Sequence, residues 1–244
     1  MIIDKNDLIK TKAYSDVLKE TYQGLFYVDT EDIVNPLGFS FMPGENHPFT
    51  EAILSYAKNP KVNAIDTYMN SFYETFSAPT LGEAFFHGKN ISHPLYKVPS
   101  KKYFVPWFDR MDMGGFGENL APNHGSHFIG PVSDTFLNNE FNRLKSIYDS
   151  IQEKGFDVAV QSDTIRGYFL KKNEEYKFVI VGGNHRVAVL HALGEKMIPV
   201  QLHPSRAPVI DYDGLDRFNN VKHHSFTEKE AKEVFNVIFN GQKV

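Results

Sequence analysis

One short run constrains this chain more than any other: Val179-Ile180-Val181-Gly182-Gly183-Asn184-His185-Arg186-Val187-Ala188-Val189-Leu190. An apolar stretch breaks at two glycines and resumes as a helix-like stretch that opens on polar residues. That is the pattern of a buried strand turning sharply into a helix. Such a junction attracts an anion. The first N–H groups of a helix have no intrahelical acceptor, and the helix dipole adds partial positive charge there. Glycine permits positive φ and close approach of the backbone. His185 and Arg186 add side-chain donors, and a guanidinium suits phosphate oxygens.

The elements around this junction can be read from the same chain. Asn138 or Asn139 can cap a helix running to about Lys154, with Gly155 as its stop and Phe141, Leu144, Ile147, Tyr148 and Ile151 as its apolar stripe. On that helix Arg143, Ser146 and Ser150 fall on one face, beside the stripe. Short strands are expected over 156–160 and 165–170, a polar turn over Lys171–Glu175, and a strand over Tyr176–Val181. A helix from Asn184 to Gly194, a strand over Ile198–Leu202 and a final helix opened by a Thr227/Glu230 capping box follow. Upstream, helices are expected over 5–20, from Pro48 to about Lys58, and over 64–76, the last with Ile65, Tyr68, Phe72 and Phe76 on one face. Leu81–Phe86 adds a short turn. Residues 87–131 are dense in proline and glycine and predict a long irregular crossing.

Composition bounds the partners. Hydrophobic residues make up 41% of the 244, enough for a folded core. The net charge of -4 argues against a protein that grips a nucleic-acid backbone over its whole surface. With no cysteine, thiolate catalysis and cysteine metal sites are excluded. No apolar run is long enough to span a membrane, and the first residues do not read as a secretion signal, so a cytoplasmic location is expected.

Two motifs, taken together, give a resemblance. In sulfiredoxin, and more broadly in the ParB-like superfamily, a helix with the pattern Lys-x-x-Ser-x-x-x-Thr precedes a strand ending Gly-Gly-Cys-His-Arg. Here the helix carries Arg143, Ser146 and Ser150, and the strand end reads Gly182-Gly183-Asn184-His185-Arg186. The closing Leu193-Gly194-Glu195-Lys196-Met197-Ile198-Pro199-Val200 also resembles the family. The likeness covers about residues 126–203, roughly a third of the chain. It implies an α+β fold: a ParB/sulfiredoxin-like core over 126–205, a mainly helical extension over 1–125, and a tail with a helix over 206–244. It further implies that Gly183, Asn184, His185 and Arg186 hold ATP-type phosphates, with Arg143, Ser146 and Ser150 around the nucleotide.

The departures from the family are informative. The sulfiredoxin cysteine falls on Asn184, which excludes that chemistry. The ParB helix-turn-helix module does not fit in the roughly forty residues after the core. The free-serine kinases of this superfamily carry an aspartate where Gly182 stands, and a glutamate before the helix. The leading expectation is an ATP- and Mg²⁺-dependent phosphotransferase acting on a small-molecule or carbohydrate-like acceptor. Asp134, Glu140 or Asp163 would be the acceptor base, and His185 would stabilise charge on the phosphoryl group. A nucleotide-binding regulatory module without turnover is the second reading, and a ParB-like DNA-binding or nuclease protein the third.

Among other candidates, Asp163 and Arg166 read first as turn residues beside a cleft. His124 and His127 lack a third metal ligand at a telling spacing. Trp107 reads as a core or lid residue, and His223-His224 as exposed.

Overall fold

The computed structural model describes residues 26–100, 102–112, 125–156 and 164–242. Helices and a small mixed sheet share one hydrophobic core, and the class is α+β. The expected helix over 5–20, all but Phe156 of the strand expected over 156–160, and the candidates Asp163 and His124 lie outside the described residues.

The sheet is built on β5 (Arg166–Lys172), whose Tyr168, Phe169 and Leu170 are fully or almost fully buried. β6 (Glu175–Gly182) pairs antiparallel along one edge of β5, through a two-residue turn in which Asn173 adopts positive φ. Two strands share the other edge of β5. β7 (Met197–Leu202) runs parallel to its first residues, and β8 (Val209–Asp211) runs parallel to its last. β1 (Phe26–Asp29) pairs antiparallel with β7, and β2 (Ile33–Val34) pairs parallel with β6.

This order implies curvature. In the order β1-β7-β5-β6-β2 the end strands stand four spacings apart, about 19 Å if the sheet were flat. Only the one-turn 3₁₀ helix Thr30–Asp32 joins β1 to β2, a reach of about 14 Å at full extension. The sheet therefore curls until one segment can pair with both of its edges. Thr30 N–H donates to the Lys196 carbonyl on the β7 side, and Lys177 Nζ on β6 donates to the Glu31 carbonyl and to Asp32. Strands from 26–34, from 166–202 and from 209–211 thus form a single sheet, and its core is continuous with the helices upstream.

Helix α1 (Pro48–Lys58) begins at the expected proline and is capped by His47, whose Nδ1 accepts from Phe49 N–H. The stretch 64–76 is not one helix. Thr67 is extended and its hydroxyl donates back to the Ala64 carbonyl, closing a 3₁₀ turn before α2 (Tyr68–Thr75) starts. The break rotates the apolar face, so Met69, Phe72 and Tyr73 are buried while Ile65 is 62% exposed. α3 (Leu81–Phe86) opens on a Thr80/Glu83 capping box. The expected irregular crossing contains a 3₁₀ turn at Pro94–Lys97 and a hairpin of β3 (Lys102–Val105) and β4 (Phe108–Asp112). α4 (Asp134–Lys154) starts a turn earlier than expected because Ser133 caps it, its Oγ accepting from Phe136 N–H. α5 (Asn184–Ala192) follows β6, the short α6 (Asn219–Lys222) follows β8, and α7 (Glu228–Asn240) carries the expected Thr227/Glu230 capping box. No helix among the described residues is long and apolar enough to cross a membrane.

Candidate functional site: a carboxylate between two imidazoles at a helix start

β6 delivers the chain to the site. Phe178, Val179 and Ile180 are fully buried, so the strand is fixed, and the chain leaves it at Gly182-Gly183. Gly183 has φ 95° and ψ 18° and is the N-cap of α5. Only glycine takes that conformation readily, and a β-carbon there would also stand 3.0 Å from Ile165 Cγ1. Being glycine, it provides no side-chain cap for the first turn of α5, whereas α1, α3, α4 and α7 are each capped by a side chain. Asn184 Oδ1 is buried without a hydrogen-bond partner. Arg186 is half-buried on the same turn.

His185, 7% exposed, turns inward from this helix start. Its ring stacks on Phe49 from α1, with centroids 4.7 Å apart and planes at 26°. Glu140, 8% exposed on α4, places Oε2 2.8 Å from His185 Nε2 and 3.2 Å from His127 Nε2. These are close ion-pair distances without full alignment, and Glu140 Oε2 and His185 Nε2 both lack a well-formed hydrogen bond. His127 is held by its backbone: Tyr73 Oη donates to its carbonyl at 2.9 Å, and Gly130 N–H donates to the Phe76 carbonyl at 2.8 Å.

Charge in the cluster follows from burial and proximity. Burial alone would raise the Glu140 pKa, but the two imidazoles outweigh it and hold the carboxyl well below the usual carboxylate range. Burial lowers the His185 pKa; Glu140 opposes that, while Arg143 and His127 reinforce it. The resting pair is therefore an ionised carboxylate facing a neutral imidazole.

Behind His185 lies a second pair of buried imidazoles. His47 stacks on Phe41 with centroids 3.8 Å apart, and His191 of α5 lies 5.9 Å from the same ring. Burial lowers the His191 pKa to about 4, the Phe41 carbonyl offsetting part of the effect. Burial, then repulsion from His191 and His185, lowers the His47 pKa well below its usual value. Below pH 6.5 the unfolded chain takes up protons that these folded imidazoles refuse, so stability falls with pH. The His191 share is lost between pH 6.5 and about 4 and amounts to about 3 kcal/mol. Glu140 acts in the same direction at lower pH, because its folded pKa is also depressed. Urea unfolding at pH 7 and pH 4.5 should show this loss, and His191→Leu should flatten it. An unchanged midpoint would mean that His191 is charged in the folded state.

The expected site residues divide clearly. Gly183, Asn184, His185 and Arg186 form the start of α5, and Glu140 reaches His185. Arg143, one turn further along α4 and exposed, is near enough for its charge to act on His185. Ser146 and Ser150 are exposed and lie about 9 and 15 Å along the helix axis from Glu140. The Ser146 hydroxyl donates to the Asn142 carbonyl of its own helix. Asp134 is exposed at the start of α4, about 9 Å along the axis from Glu140 on the other side. Arg166 on β5 is paired across the sheet with Gly182. Trp107 is a buried core residue whose Nε1 donates to Tyr168 Oη, and His223 and His224 are exposed.

The sequence reading did not bring His127, Phe49 or Tyr73 to this site. For His127 the available signal was its place between Gly125 and Gly130, where backbone packs on backbone. Phe49 and Tyr73 carried no signal beyond helical periodicity. Among the described residues no group of three His, Cys, Asp or Glu is placed to hold a metal ion. Compared with protein-family models, curated proteins and solved structures, the chain finds no match in any of the three.

Proposed function

We propose that the start of α5 binds the phosphates of a nucleoside triphosphate and that the protein is a phosphotransferase acting on a small-molecule or carbohydrate-like acceptor. The observation that carries this reading is the ionised Glu140 held against His185 beside an uncapped, glycine-opened helix start. The family resemblance of the two motifs supports it. The donor set fits a phosphate: first-turn amides without a side-chain cap, and the Arg186 and Arg143 guanidiniums on the approach.

The bound nucleotide would supply the transferable phosphoryl group, with Mg²⁺ carried on its phosphates. The chain's own residues do the rest. The amides of Asn184 and His185 meet phosphate oxygens, and Arg186 offsets their charge. Glu140 accepts the proton of the acceptor hydroxyl. Its low pKa makes it an orienting group more than a strong base, which suits a loose transition state. His185, neutral and locked on Phe49, keeps the carboxylate aimed.

A second reading, nucleotide binding without turnover, rests on Gly182. A side chain would meet open space there, yet the acid of the related kinases is absent from that position. Calorimetric titration with ATP, ADP and CTP, with and without Mg²⁺, followed by an acceptor screen, separates the two readings. Arg186→Ala should weaken nucleotide binding about 10- to 100-fold, the worth of a charged hydrogen bond to phosphate. If no nucleotide binds, or Arg186→Ala binds as the wild type does, both readings fail.

A further inference from the structure

The two imidazoles that bracket Glu140 share a neighbour. Phe49 stacks on His185 and also meets His127 edge-on, with centroids 6.4 Å apart and planes at 87°. The rings of His127 and His185 are themselves perpendicular, with centroids 6.2 Å apart. Phe49 is fully buried and fills the corner between them. In a close-packed interior a shift of its ring is passed on to both imidazoles.

Phe49 is held in turn by the start of its own helix. Pro48 opens α1 and has no N–H, so Phe49 N–H is the first donor of that helix to need a partner. It donates to His47 Nδ1 at 3.3 Å. The same His-Pro device recurs at His93, which accepts from Leu95 N–H, and at His203, which accepts from Ser205 N–H. At His47 the capped residue carries the ring on which the site imidazoles pack. Besides its stack on Phe41, His47 stands edge-on to Phe49, with centroids 5.8 Å apart. Phe41 is tied to the same helix, because Thr50 Oγ1 donates to its carbonyl at 2.9 Å. A continuous path of packed rings therefore runs from Phe41 through His47 and Phe49 to His185 and His127. With Nδ1 accepting, the neutral His47 ring carries its proton on Nε2, which is buried with no partner in the protein. Burying that N–H costs stability, and an apolar side chain would fill the same space without the cost. What the imidazole adds is the cap.

We propose that His47 is a positioning residue of the Glu140 site: through its bond to Phe49 N–H it sets the ring that holds His185 and His127 against the carboxylate. If the phosphotransferase reading holds, on which this clause alone rests, that setting governs turnover and not nucleotide binding.

The His185 ring protons report on the arrangement, because the face of Phe49 shields protons that lie over it. They are read by NMR at neutral pH in the full-length protein without nucleotide. Phe49→Leu removes the shielding ring and gives the downfield position of an unstacked His185. His47→Leu fills the space but accepts no hydrogen bond, and it should move the His185 resonance toward that position. His47→Gln carries its acceptor away from Nδ1 and should do the same. His47→Asn sets an amide oxygen where Nδ1 stands and should leave His185 at the wild-type position, although it fills less space. A resonance that stays put in both His47→Leu and His47→Gln overturns the proposal. So does one that moves equally in His47→Asn, since packing and not the cap would then be the cause. In turnover, His47→Leu should lower kcat by about tenfold or more while the nucleotide KM changes by less than about twofold, and His47→Asn should recover it. An unchanged kcat overturns the turnover clause alone. The spectrum needs neither nucleotide nor acceptor, so failure of the phosphotransferase reading does not touch the positioning claim.

Discussion

Glu140→Gln is expected to cut phosphoryl transfer by about 10²- to 10⁴-fold while nucleotide affinity changes by less than about threefold. Glutamine keeps the shape of the side chain and removes its charge. The acceptor hydroxyl then has no anion to take its proton, while the amides at the start of α5 and the Arg186 guanidinium are untouched. A second signature comes from His185, whose proton affinity the Glu140 carboxylate raises against burial. In the glutamine variant its NMR titration should move to still lower pH. Full turnover in Glu140→Gln would assign the carboxylate a purely structural role and return the base to Asp134 or Asp163. Loss of nucleotide binding together with turnover would place Glu140 on the phosphates instead.

Gly130→Ala should destabilise the protein by about 3 kcal/mol or more. A β-carbon at Gly130 would overlap the carbonyl oxygen, carbonyl carbon and Cα of Tyr73. All three belong to the backbone of α2, so no side chain can swing aside to make room. The segment is also tied down, since Gly130 N–H donates to the Phe76 carbonyl and Gly130 bridges Ser77. For a domain of this size the melting temperature should fall by roughly 10 °C. Gly182→Ala is the matched control: a β-carbon there meets nothing within 4 Å and φ is not positive, so a change within about 0.5 kcal/mol is expected. Thermal unfolding of the two variants side by side decides the matter, and similar melting points would refute the close-packing account. Because His127 stands three residues before Gly130, the alanine variant should also relax the imidazole from Glu140.

Much of the site could be read before the fold was known, for reasons that differ by residue. The glycine pair and the helix after it were legible because a buried strand, positive φ and a polar first turn each leave a mark in sequence. Glu140 was legible in a further way. Leu137, Glu140, Phe141 and Leu144 follow helical spacing, so the stripe of α4, traced one turn back, runs straight through a carboxylate. A charged residue on a buried stripe must be paired, and that pairing is what separates Glu140 from Asp134. The partner was not legible. His127 reaches Glu140 through loop packing against α2, and loop packing has no periodicity. Ser146 and Ser150 share a face with Arg143, as their spacing requires. A shared face does not bring residues near a given point, and the helix rise carries the two serines away from Glu140.

The strands fared unevenly for a similar reason. β5, β6 and β7 run for seven, eight and six residues and carry apolar runs of their own, while β2 and β8 span two and three residues. Strands that short are defined by their partners, not by their own pattern. The helix expected over 64–76 broke because Thr67 turned its hydroxyl back on the Ala64 carbonyl, a local choice that apolar periodicity does not encode.

The segment 26–34 carries a consequence for the order in which the molecule assembles. It pairs with β7 and β6, both synthesised roughly 150 residues after it. The earliest described strands must therefore wait for some of the last, and loop closure on that scale slows folding. Until β6 and β7 arrive, the segment is a short apolar stretch without a partner, exposed to pairing with other chains. Its brevity and its three acidic residues, Asp29, Glu31 and Asp32, limit that exposure during the wait.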